Sequence, residues 1–213
     1  MGELRGVFPP DSIKKVTSDN FDRFYFVNDG WGEVLPAEVE IGQFAKNEHG
    51  LIKLPSNFSF QNFDFAISIG FSVKQGNESH SYVSGEAMAA LLGALIVTNT
   101  TDLTVVHFSN EDGTSPKPSV SHKDGNCGDL RYLRTDNKSL PTLLQDKAFD
   151  INRQNAFNDA LYMFGWEGML SENFTPYGGR TQMRLNHTRH LSSPSHNNHL
   201  HIGTFNPHVT TVK

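Results

Sequence analysis

The 213-residue sequence contains one cysteine, Cys127, so no intrachain disulfide framework is available to it. An excess of positive charge is missing as well: 18 Lys and Arg stand against 23 Asp and Glu, for a formal net charge of -5. A chain without a basic field has little with which to draw in phosphates, which argues against a nucleic-acid binder. Long apolar runs are also lacking. The strongest, Ala87 to Val97 (AMAALLGALIV), falls far short of the ~20 residues a membrane helix needs, so no membrane span is expected. The N-terminus reads as lacking a secretory signal, because Glu3 and Arg5 precede Pro9-Pro10. No internal repeat or low-complexity tract is visible. With 37% hydrophobic and 19% charged residues, the composition is that of a soluble globular protein.

What is present is unevenly spread. Residues 1–114 hold 7 Lys and Arg against 15 Asp and Glu, whereas residues 115–213 hold 11 against 8. Six of the ten histidines lie between His187 and His208, and ten of the sixteen phenylalanines at or before Phe71. The chain therefore divides into a β-rich N-terminal region of unassigned role, residues 1–80, and a region 81–213 where the reactive side chains collect.

Strand patterns dominate the first part. Arg23 to Val27 is aromatic and β-branched and stops at the turn residues Asn28-Asp29-Gly30. Glu38 to Ile41 alternates, and from Phe63 to Val73 every odd position is apolar, the period of a strand with one buried face. Ser84 then offers a cap to a helix with Ala87, Met88, Leu91, Leu92, Leu95 and Ile96 at helical spacing, ending at Asn99. Leu103 to Phe108 reads as a strand, and about Asp150 to Phe164 as a second helix closed by Gly165. Beyond Gly165 the chain reads as loop until Leu200-His201-Ile202 restores a strand pattern. Two helices among mostly antiparallel strands predict an α+β fold: an antiparallel sheet flanked by helices, with a β-rich N-terminal extension.

Two segments carry chemistry, SHKDGNCGDLRY (121–132) and SHNNHLHIG (195–203). His199 and His201 are two apart, so in a strand both imidazoles face one way. His122 and Asp129 are seven apart, an offset that puts them on opposite faces of an unbroken strand. Gly125 and Gly128 bracket a break that lets the segment bend until the two side chains converge. Three of these four groups would leave a divalent ion with an open coordination position, as catalytic zinc sites do. Cys127 offers an alternative, a closed structural site with thiolate as fourth ligand; surface histidines holding no metal are the plainer one. His187 and His190 read either as further members of the site or, preferably, as loop cover. Arg180, Arg184 and Arg189 are placed to grip a substrate carboxylate or simply to be solvated.

His-x6-Asp followed by His-x-His resembles the zinc signature of the LAS metallopeptidases, the fold of lysostaphin, D-alanyl-D-alanine metallopeptidase and hedgehog. The fuller pattern, Ser-His-x2-Gly-x3-Asp with a late His-x2-His-x-His, is most similar to the penicillin-insensitive murein endopeptidases. The match covers roughly residues 103–205. It implies Zn2+ held by His122, Asp129 and His201, with His199 as the catalytic histidine and His196 close behind it. It implies a peptidase cutting a cross-link or stem-peptide amide bond of bacterial peptidoglycan, outside the cytoplasmic membrane. Such a chain would be an excised catalytic domain, a phage lysin or an exported antibacterial effector, the last implying an immunity protein as partner. The hedgehog branch supplies the alternative of a non-enzymatic zinc-containing binding module, and an unrelated amidase is a third reading.

Overall fold

Every residue from Gly85 to Ile96 except Glu86 is buried in α1 (Gly85–Thr98), so this helix has no water-facing stripe and can exist only inside the protein. Its ends are set locally. Ser84 Oγ accepts a hydrogen bond from the Ala87 N–H at 3.1 Å, and Asn99 leaves the helix in the left-handed region, at φ 52°. The computed structural model describes residues 12–28, 37–191, 193 and 195–213; the expected turn after Asn28 lies outside them.

The strands are β1 (Ile13–Thr17), β2 (Phe21–Asn28), β3 (Ala37–Ala45), β4 (Ile52–Lys53), β5 (Asn57–Asn62), β6 (Ile67–Val73) and β7 (Tyr82–Val83) before α1. After it come β8 (Leu103–His107), β9 (Gly128–Leu130), α2 (Ile151–Met163), β10 (Trp166–Ser171), β11 (Thr188–His190), β12 (Leu200–Phe205) and β13 (Thr210–Val212). The fold is α+β, as expected, but its larger sheet is mixed and not antiparallel throughout, since β6 pairs with β8 and β10 with β11 in parallel. A seven-stranded sheet runs β11-β10-β12-β9-β8-β6-β5, and a four-stranded sheet runs β13-β1-β2-β3. Strands from both sides of residue 80 thus share the larger sheet. The first and last strands of the smaller one pair in parallel, Lys14 opposite Thr210. Helix α1 packs against β1, β6 and α2. One continuous apolar core takes in Ile13, Phe24 and Phe26 from the smaller sheet together with α1, α2 and the larger sheet.

Two further expectations change. The period-two run from Phe63 to Val73 is a strand only from Ile67; residues 63–66 turn, and Asn57–Asn62 supplies the partner strand. Asn62 Oδ1 accepts the Phe65 N–H at 3.0 Å, and Ala66 takes a positive φ of 51°. A side-chain hydrogen bond of this kind turns the backbone regardless of apolar periodicity, and Phe63 is left 88% exposed. The stretch after Gly165, read as loop, holds β10, which pairs with both β11 and β12. Its sequence WEGMLS has no strict alternation, because Gly168 and Met169 are both buried.

Candidate metal centre

Three neighbouring strands put one side chain each into a single row. In β9, Asp129 stands opposite His107 of β8 on one side and His201 of β12 on the other. Directly opposed residues point to the same face of a sheet, so the carboxylate lies between two imidazoles. His107 reaches its place through an irregularity in β8: the register shifts between Val105 and His107, and such a bulge re-aims the side chain that follows it.

His122 arrives from the loop before β9. That loop bends at Asp124 (φ 54°) and Gly125 (φ 67°), and a Cβ on Gly125 would run into the backbone of Val83 and Ser84. Only glycine satisfies both the conformation and the close approach. Neighbouring groups pin the bend: Ser84 Oγ donates to Asn126 Oδ1 at 2.6 Å, and the Trp166 indole N–H reaches the Asn126 carbonyl at 3.3 Å. The His122 N–H meets Ser115 Oγ at 3.1 Å. The glycine-bracketed bend turns His122 toward Asp129.

The polar atoms close on one oxygen. Asp129 Oδ1 lies 2.9 Å from His201 Nδ1 and 3.3 Å from His122 Nε2, and those two nitrogens are 3.1 Å apart. All three residues are buried, His122 to 1% exposure. Burial raises the Asp129 carboxyl, but hydrogen bonds from His122 and His201 outweigh it and hold the group well below the usual carboxylate range. His107 Nδ1 stands 3.2 Å from the other oxygen, Oδ2. His107, His122 and Asp129 also form a group able to hold a metal ion, their ligand atoms lying within 4.8 Å of one another. Two candidate triads therefore share His122 and Asp129, one completed by His201 and one by His107. The donor set, imidazole nitrogens converging on an ionised carboxylate in a buried site, fits a divalent metal ion.

His199 Nε2 is 3.7 Å from Asp129 Oδ1, and its Nδ1 is 2.7 Å from Asn198 Oδ1. Burial pushes this imidazole down to about 4 against the pull of the Asp129 carboxylate, with His196 and His201 adding to the effect. The His196 ring is buried, its centroid 4.9 Å from that of His199 and 5.8 Å from that of His201. Its backbone is clamped at both ends. Tyr132 OH donates to the His196 carbonyl at 2.7 Å, and Glu172 Oε1 accepts the His196 N–H at 3.1 Å and the Ser195 hydroxyl at 2.6 Å.

Other candidates lie apart. Cys127 Sγ sits against Gly203, where an added Cβ would meet it at 3.3 Å, and burial pushes the thiol up. His187 pairs with Asp159 at 3.0 Å and stacks on Tyr162, while His190 Nδ1 accepts the Asn173 N–H. Arg180, Arg184 and Arg189 are exposed. The sequence reading missed His107, taken as part of an apolar strand; its one signal was an imidazole ending the run Leu103–Val106. It missed Tyr132 and Glu172 too, whose roles depend on tertiary contacts. Comparisons of the chain with protein-family models, curated proteins and solved structures found no match.

Proposed function

We propose that the protein is a zinc-dependent peptidase, with His122, Asp129 and His201 holding the ion. The observation that carries this reading is the triangle of His122 Nε2, Asp129 Oδ1 and His201 Nδ1, with edges of 2.9, 3.1 and 3.3 Å. Ligands at 2.0–2.1 Å from a tetrahedral zinc ion stand about 3.3 Å from one another, so these edges suit zinc. Bound there, zinc would supply a Lewis acid and bring the pKa of a water to about 7.

The chain's own residues do the rest. With Asn198 Oδ1 accepting from His199 Nδ1–H, the lone pair of His199 resides on Nε2, the nitrogen turned toward Asp129. Burial keeps this imidazole neutral at neutral pH. It is thus placed to take a proton from an attacking water and return it to the leaving amine. His196, buried, packs its ring against both His199 and His201. A free, neutral histidine beside three ligands favours an enzyme over a binding module, which has no use for it.

The substrate class rests on the resemblance of the two motifs to murein endopeptidases: a stem-peptide or cross-link amide of peptidoglycan. This substrate places the activity in the periplasm or outside the cell, as an effector with an immunity partner or as a wall-lytic domain. The deciding experiment incubates purified, zinc-loaded protein with isolated sacculi and identifies the released fragments by mass spectrometry. New peptide termini in the native digest, absent with His199→Ala, are the expected result. Zinc binding without any cleavage would overturn the enzyme reading in favour of the binding module.

A further inference from the structure

The four imidazoles around Asp129 do not treat its two oxygens alike. His201 Nδ1 at 2.9 Å, His122 Nε2 at 3.3 Å and His199 Nε2 at 3.7 Å all gather on Oδ1. His107 alone addresses Oδ2, at 3.2 Å. Its Nδ1 is fully buried, lies off the hydrogen-bond line to Oδ2, and has no other partner among the described residues. The carboxylate oxygen nearest this buried nitrogen is Asp129 Oδ2, and buried polar groups are rarely left unpaired. The bulge before His107 creates this approach, and the ring is steadied by His122, whose centroid is 4.8 Å away.

We propose that His107 is a positioning residue: when an ion is bound, its Nδ1–H turns onto Asp129 Oδ2, 3.2 Å away, and leaves Oδ1 as the single carboxylate atom offered to the metal. A free carboxylate can bind an ion through both oxygens, which would occupy the position an open site keeps for water. Tying down Oδ2 prevents this and fixes the direction of Oδ1, as outer partners of metal ligands commonly do. The inference rests on the metal reading above and on no statement about substrate.

The test uses the full chain loaded with Co(II), whose visible absorption is strong when four-coordinate and weak when more ligands bind. His107→Ala should bind Co(II) and zinc 10–100-fold more weakly, the usual loss for such a partner, and its visible bands should fade. His107→Asn, whose amide nitrogen occupies the place of Nδ1, should restore both; His107→Gln, one methylene longer, should not. The Asn and Gln pair keeps the comparison meaningful if the alanine protein fails to fold. Parent-like affinity and spectrum in His107→Ala or His107→Gln would overturn the proposal. So would metal loss in all three His107 variants to the level of His122→Ala while His201→Ala retains the ion, since His107 would then be a ligand. A parent chain taking up neither metal would sink the metal reading itself, a result distinct from any pattern among the variants.

Discussion

His199 and His201 are separated by one residue, and both present a ring nitrogen to the same oxygen of Asp129, at 3.7 and 2.9 Å. On the proposed reading, the extra distance, an Asn198 partner and partial exposure mark His199 as the proton carrier and His201 as the ligand. His199→Ala should keep close to one zinc per chain yet lose ~10²–10⁴-fold in hydrolysis, the usual contribution of a positioned acid–base group. His122→Ala and Asp129→Ala should lose the metal, as elemental analysis would report. Equal zinc loss in His199→Ala and His201→Ala would show that His199 is a ligand too, and zinc kept by His201→Ala but lost by His199→Ala would show the two roles reversed. At this scale much of the site was legible, because two-residue spacing fixes a common face whatever the rest of the chain does. His107 was not legible. Its approach depends on a one-residue register shift in β8, and nothing in LTVVHF marks a bulge.

Among the elements, the loop before β12 delivers His196 and His199 and the loop before β9 delivers His122, and each is held from outside itself. Tyr132, following β9, donates to the His196 carbonyl, and burial pushes its phenol up. A group whose folded pKa is raised adds stability that is complete below the unfolded value, about 10 for tyrosine, and is lost as pH rises beyond it. Urea unfolding should therefore show a steep decline of stability between about pH 9.5 and 11. In Tyr132→Phe this part of the decline should be absent, with a cost of about 1 kcal/mol at neutral pH for the lost hydrogen bond. An unchanged alkaline slope would mean that another group governs it. Gly125 gives the matching test for the other loop. Gly125→Ala strains a positive φ and meets the backbone of Val83 and Ser84, so destabilisation of more than about 1 kcal/mol is expected. Because His122 rides on this bend, zinc affinity should fall as well. Both helices were legible, the first down to its Ser84 cap, whose side chain accepts from Ala87; the second begins one residue later than expected, with Asp150 as a cap accepting from Arg153. Strand β10 was hidden because a strand buried on both faces need not alternate.

The whole molecule joins what composition separates. Phenylalanine-rich, acidic residues before 80 and histidine-rich residues after 120 read as two regions, yet β5 and β6 extend the sheet that carries His107, Asp129 and His201. Composition reports what each segment is made of, not where its hydrogen bonds go, so this union could not be read from the sequence. An ion pair adds to it: Lys15 of β1, only 4% exposed, reaches Glu86 in the first turn of α1. Residues 81–213 alone would leave the long edge of β8 unpaired where Phe71 to Val73 now align. They would also expose the side of α1 that β1 and β6 cover, and α1 has no polar face to turn to water. A fragment 81–213 should therefore show no cooperative thermal transition, bind the apolar dye ANS, and hold zinc far more weakly than the full chain. Cooperative melting of that fragment with parent-like zinc affinity would show that the first 80 residues are an appendage and not part of the frame that aligns Asp129 between its histidines.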